Sequence, residues 1–272
     1  MKQNLLSRQA GLNLIELMIA IVIGIFISLM VVTYLATSSR LFKQQGADTN
    51  LEANGTFAIS YMTQFIRQAG SNDPMGTDVP FYTGDCISAN PCTFNEDNPG
   101  KSDQIAIQMV PQNDQDCVGN DVTPGDRIAN VFSVRNSSLV CQGFNIDTQS
   151  WLGGAEDPES LIDGVEQLQV LYGVSNADGV VQRYVDASRV ATGALNDFER
   201  NAAWDSIRST KIAILVSDVT TEGTEPKEAR EYQLLDSPKI TGDDRVSRKV
   251  YSTTVNINNK ICLLYTSPSP RD

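Results

Sequence analysis

The sequence predicts an α+β protein: a long N-terminal helix, half of it apolar enough to span a membrane and half amphipathic, packed on an antiparallel β-sheet. Three observations carry this. Leu17 to Ala36 is a run of twenty residues without a charge, which as a helix would extend about 30 Å, enough to cross a bilayer core. From Thr37 to Ala69 there is no proline, and Leu51, Ala58, Tyr61, Met62, Phe65, Ile66 and Ala69 recur at helical spacing. Beyond residue 102 the chain turns to short runs of β-branched and aromatic residues separated by turn formers.

The order of parts at the N-terminus is informative. A short basic leader with Lys2 and Arg8 comes first, then Gly11, then a lone acid, Glu16, at the mouth of the apolar helix. An ordinary secretory signal is cut after its apolar region, so that region is lost. Here the small residue lies before the apolar run, so a cut there would keep it. An acid at membrane depth is disfavoured by up to roughly 3 kcal/mol and calls for a partner.

The stretch from Gln9 to Met30, QAG followed by LNLIELMIAIVIGIFISLM, resembles the class III signal of type IV prepilins. The resemblance implies cleavage by prepilin peptidase after Gly11 and N-methylation of the new first residue, Leu12. It also implies that Glu16 pairs with the freed amine of a neighbouring subunit and so sets register during assembly. Leu12 stands where Phe is usual in that family, and Asn13 where Thr or Ser is usual.

In the second half of the helix the apolar stripe should pack on the sheet, with Arg40, Lys43, Gln44, Asp48, Glu52 and Arg67 mostly facing water. Gly46 and Gly55 each cost about 1 kcal/mol relative to Ala in a helix and suggest bends or close contacts with neighbouring subunits. Gly70, followed by Ser71-Asn72-Asp73-Pro74, predicts the helix stop. Residues 71–102, rich in Asn, Asp, Gly and Pro, read as a long irregular loop. Strands are predicted at Ile105–Val110, at Val131–Arg135 turning through Asn136-Ser137-Ser138 into Leu139–Cys141, and at Val165–Tyr172. Asn176-Ala177-Asp178-Gly179 is a hairpin turn into Val180–Tyr184. A short helix around Ala202–Ile207, a very apolar strand at Lys211–Val216 and a last strand at Lys249–Ile257 complete the series.

Leu171–Val174 (LYGV), the Asp178-Gly179 hairpin, Trp204 ahead of Ile212–Val216, and Thr254–Asn259 together resemble the minor pilins of the PilW type. That likeness implies a subunit that joins other minor pilins and the major pilin in a priming or tip complex. A type II secretion minor pseudopilin shares leader, stalk and head, and a pilus-tip adhesin or DNA-uptake subunit is a further alternative.

Composition limits the chemistry. The chain has 33 Asp+Glu against 21 Lys+Arg, a formal charge of −12; loss of Lys2 and Arg8 with the leader makes it −12 − 2 = −14. Nucleic acid is not expected as a partner, although Arg245, Arg248 and Lys249 form a local basic cluster that most simply reads as a solvated strand face. Histidine is absent, which removes Ser-His-Asp and Cys-His nucleophilic sites and every His-containing zinc site. No Walker, GxGxxG, GxSxG or CxxC motif is present. No enzyme activity, cofactor or metal is expected. Asp114, Asp116, Gly119 and Asp121 faintly suggest a calcium loop, but they lack the spacing and closing Glu of an EF-hand, so a solvated acidic loop is the better reading.

Cys86, Cys92, Cys117 and Cys141 lie beyond the apolar run, in an expected oxidising compartment. Four cysteines allow three pairings; Cys86–Cys92 and Cys117–Cys141 are favoured because each pair is nearest in sequence. Residues 261–272, Cys262 included, resemble the translated read-through of a sequencing adapter and read as a non-native tail. The expected organisation is therefore a leader at 1–11, a transmembrane and amphipathic helix at 12–70, a β-rich periplasmic domain at 71–260, and that tail. The expected location is the inner membrane, in contact with its lipid, with incorporation into the pilus.

Overall fold

The computed structural model describes residues 13–71, 79–84, 92–96, 98, 100–154, 158–218 and 229–260. Gly11, Leu12, Cys86 and the 261–272 tail lie outside the described residues. The chain divides into two compact units, Met1–Gly46 and Ala47–Asp272, and one helix, α1 (Leu14–Gln68), contributes residues to both.

In the first unit α1 is apolar on every side. Its large side chains from Leu17 to Leu35 are 50% to 71% exposed, and an eighteen-residue window reaches a mean hydropathy of 2.8 with none of it buried. The few hydroxyls there serve the helix backbone: Ser28 Oγ donates to Gly24 O (2.8 Å), Thr33 Oγ1 to Leu29 O (3.0 Å) and Thr37 Oγ1 to Thr33 O (2.9 Å). A polar group so satisfied costs little in hydrocarbon.

In the second unit α1 buries Ala47, Leu51, Gly55, Ala58, Met62 and Ile66, steps of three and four that keep one face turned inward. The helix ends as its sequence predicts. Gly70 takes φ 70° and donates its N–H to Gln108 O (2.8 Å), while Asn259 Nδ2 donates to Ala69 O (3.1 Å).

The strands are β1 (Ile105–Met109), β2 (Ile128–Arg135), β3 (Ser138–Asn145), β4 (Ser150–Trp151), β5 (Glu159–Asp163), β6 (Val165–Ser175), β7 (Val181–Val185), β8 (Ile207–Asp218), β9 (Arg230–Tyr232), β10 (Ile240–Gly242) and β11 (Ser247–Asn256). Between β7 and β8 lie α2 (Ala187–Val190) and α3 (Asp197–Asp205). The expectation was of one antiparallel sheet; the described strands form two larger sheets and a ribbon. One sheet runs β1-β2-β3-β4 with β5 also on β3, the second runs β11-β8-β6-β7, and β9 pairs with β10. All pairs are antiparallel.

Gly164 is the pivot between the two sheets. It separates β5 from β6 with φ 85°, donates to Ser137 O (2.8 Å) and accepts from Ser217 N (2.7 Å). A Cβ there would stand 2.4 Å from Ser217 O, so only glycine lets the chain cross between sheets at this point. The core gathers the α1 stripe, Ile105, Ile107 and Phe132 from one sheet, and Leu168, Val170, Tyr172, Ile212, Ile214 and Val255 from the other. Phe81, Tyr172 and Trp204 meet edge-to-face within it at 4.9 to 6.0 Å between centroids.

Candidate functional site

Glu16 sits in the first turn of α1, where its N–H donates to Asn13 O (2.9 Å). A carboxylate is favoured there by the helix dipole, and its exposed position leaves it accessible. Gly11 and Leu12, which would flank the cut, lie outside the described residues.

Cys117 and Cys141 form a disulfide that closes a separation of 24 residues. Its neighbourhood ties the loop before β2 to α1. Cys117 N donates to the buried Asn130 side chain (2.9 Å), and Tyr61 of α1 donates its hydroxyl to the Cys117 carbonyl. Both cysteines are 1% exposed or less, which suits a structural bridge. Cys92 is likewise disulfide-bonded.

The acidic loop has a structural use. Asp116 Oδ1 accepts from the N–H groups of Val118 (2.9 Å) and Asn120 (2.8 Å), and Oδ2 accepts from Asn120 Nδ2 (2.8 Å). Its oxygens are spent on shaping the turn. Among the described residues no group of three or more acids, cysteines or histidines is placed to hold a metal.

The basic cluster is largely neutralised. Arg248, 12% exposed at its side chain, bonds Glu166 on β6 (2.6 Å) and Asp244 (2.5 Å). The Arg248 fork holds the Asp244 carboxyl down at about 2. Lys249 bonds Glu52 on α1 (2.6 Å), and that carboxylate also accepts from Tyr251 Oη (3.1 Å).

Three positions with structural consequences were not visible from spacing alone. Gly55 lies on the buried face of α1, and a Cβ there would fall within 2.6 Å of the Tyr251 ring. The close contact is with β11 of the same chain, where the sequence suggested a bend or a neighbouring subunit. The signal was present, because Gly55 falls on the Leu51–Ala58–Met62 stripe. Gly173 similarly makes room for Tyr184 (3.0 Å) and Ser209 (2.4 Å), which gives the LYGV motif a packing reason. Asp103, 2% exposed, accepts from Glu96 N (3.0 Å) and Val170 N (2.8 Å), and its own N–H donates to Leu168 O (2.9 Å). Burial pushes its carboxyl up to about 7 against those two donors, and Asp236 and Asp186 add to the rise.

A cleft of about 470 Å³ opens between α3 and the first sheet, lined among others by Phe81, Gln108, Arg127 and Arg200. Arg127 is held by Asp147 (2.6 Å) and Arg200 by Asp197 (3.0 Å).

The apolar, solvent-exposed N-terminal half of α1 is the part of this molecule most in need of partners, and the head is a disulfide-tied β structure that closes one face of the same helix. Comparison with known proteins places the head in a family. Residues 121–259 match the family model described as type IV pilus-assembly protein W. That span covers β2 through β11 and their connections. Among solved structures, a type IV-like pilin from Thermus thermophilus is similar at 12% identity and a TM-score of 0.41, over 78% of this chain and 96% of that one. No curated protein matches the chain. The family match takes in half of the sequence, and by it this chain belongs to the type IV pilus-assembly protein W family.

Proposed function

We propose that this chain is a minor pilin: prepilin peptidase cuts after Gly11, Leu12 is methylated, and the retained helix holds the subunit in the inner membrane with its head in the periplasm. The observation that carries this reading is the apolar run Leu17–Ala36, exposed on all sides, in a chain whose head matches a pilus-assembly family. An apolar helix extracted from lipid needs other apolar helices around it, and a filament core of sister helices supplies them. Glu16 then neutralises the terminal amine of the adjoining subunit as it docks, a pairing whose strength grows as water is excluded. The partners are prepilin peptidase, other minor pilins, the major pilin and inner-membrane lipid.

The role is assembly rather than catalysis. A sequence without histidine, and acids such as Asp103, Asp116 and Asp147 already occupied by N–H donors, support that view. The family match favours a pilus over a secretion system. The test is the composition of sheared, purified pili by quantitative mass spectrometry. A minor pilin would be present far below the copy number of the major pilin, and pilus number would fall on its deletion. Absence from filaments, with normal piliation on deletion, would overturn the reading.

A further inference from the structure

We propose that the free edge of β11 is a docking site for an extended strand offered by another pilus subunit, which adds to the second sheet beside α1. This rests on the reading of the chain as a pilus subunit. Edge strands expose a row of unpaired N–H and C=O groups, and folded proteins normally blunt them. Here most edges are blunted. Tyr82 N donates to Ala106 O (2.8 Å) and Gln108 N to Pro80 O (3.1 Å), so the segment around Phe81 covers β1. Ser102 and Asp103 do the same for the first half of β6. β7 is five residues long, carries Arg183, and its register slips between Val174 and Ser175 of β6.

β11 differs in length and register and, beyond Lys249, in charge. It pairs with β8 through ten consecutive residues without a bulge, and among the described residues it has no strand on its other side. From Val250 to Asn256 it is uncharged and rich in Val, Ser and Thr. The orientation of its backbone can be worked out. Ile257 N–H donates to Arg208 O (3.0 Å), and antiparallel pairs alternate between bonded and non-bonded. The odd-numbered residues of β11 therefore face β8. Val250, Ser252, Thr254 and Asn256 direct their backbone groups to the free edge. Only another strand supplies donors and acceptors at that repeat.

The flank of this edge has room for such a strand. A groove of about 530 Å³, lined by Ile59, Ser60, Thr63 and Arg67 of α1 with Thr253 and Asn258, lies alongside it. Side chains of an added strand that point toward α1 would enter there, and the hydroxyl, amide and Arg67 guanidinium groups of the lining suit a polar segment without basic residues. A second copy of this chain fits poorly. Lys249 meets Glu52, Tyr251 meets Gly55 and Asn259 meets Ala69, so β11 runs in the same direction as α1. Antiparallel pairing of two β11 strands would oppose the two copies of this helix stretch, and parallel in-register pairing would set Lys249 beside Lys249.

The test uses the full chain in cells that assemble pili, with a photo-crosslinking residue at Ser252. The expected result is a covalent adduct with another pilus subunit. Thr254→Pro, which removes an edge N–H that pairs with none of the described residues, should reduce that adduct at least tenfold while the unfolding midpoint is kept; Thr254→Val should leave it unchanged. A folded Thr254→Pro chain with an undiminished adduct would overturn the proposal. So would the absence of any adduct from a chain cut at Gly11 and present in pili, or an adduct of two copies of this chain alone. A chain left uncut and absent from pili would overturn the pilus-subunit reading, and this inference with it. Because the Ser252 adduct is read in an otherwise native sequence, misfolding of the proline variant would not remove the test.

Discussion

Asp103→Asn should change the pH dependence of stability in a direction opposite to that of an ordinary surface acid. The carboxyl is buried and rises to about 7 in the folded chain from an ordinary value of 3.8. Because the folded value is the higher one, the folded state holds a proton that the unfolded state releases. Its contribution is complete below pH 3.8 and is lost as pH rises through about 7. Each pH unit in that window is worth at most about 1.4 kcal/mol, so the full loss is at most about 4 kcal/mol. Asparagine keeps one acceptor oxygen but presents its amide to the other donor, Glu96 or Val170, at a cost of about 1–3 kcal/mol. Denaturant unfolding of the full chain in detergent micelles, followed by fluorescence of the buried Trp204, gives both curves. Wild-type stability should fall from pH 5 to pH 8 relative to the variant, so that the two converge or cross at alkaline pH. Parallel curves, or a wild type that gains on the variant as pH rises, would refute the assignment of a protonated buried Asp103.

Replacing Cys117 and Cys141 together by Ser should cost about 3 kcal/mol, the chain-entropy value for a loop of this length, and reductant should lower the wild-type unfolding midpoint toward that of the variant. Gly55→Ala should lower the unfolding midpoint by an amount corresponding to about 1–3 kcal/mol of overpacking. The alanine's helical advantage of about 1 kcal/mol works against this and leaves a net loss of at most about 2 kcal/mol, set by the Tyr251 ring moving off α1 and giving up its bond to Glu52. The combination with Tyr251→Ala should restore most of the loss.

How much of this was legible in the sequence depended on whether a signal was local. The face of α1 could be read directly: Leu51, Ala58, Met62, Ile66 and Ala69 were expected inside and are all 3% exposed or less, because a proline-free stretch with a steady apolar period has few alternatives. Tyr61 and Phe65, expected on the same stripe, sit at its margin and meet Phe132 edge-on at 6.3 Å and tilted at 5.5 Å between centroids. The stronger strands were legible too, but shorter than found. β8 runs from Ile207 to Asp218 where Lys211–Val216 was expected, since the flanking polar residues pair through their backbone regardless of side chain. The division into two sheets was not legible. It depends on Gly164 adopting positive φ against Ser217 O, and one glycine between two strands looks like any tight turn. The short β9–β10 ribbon, of three residues each, offers too little pattern to detect. At the candidate site, Arg248 and Lys249 read as a basic patch because Glu166 and Glu52 lie 82 and 197 residues away; of their acids only Asp244, four residues before Arg248, was near enough to read.

The measurement that tests the pilus-subunit reading most directly is the intact mass of the chain from cells with and without prepilin peptidase, together with a Gly11 substitution. The reading predicts loss of residues 1–11 and one added methyl group on Leu12, both dependent on the peptidase and on Gly11. A chain that keeps residues 1–11 when the peptidase is active would contradict it, and the role given to Glu16 would go with it.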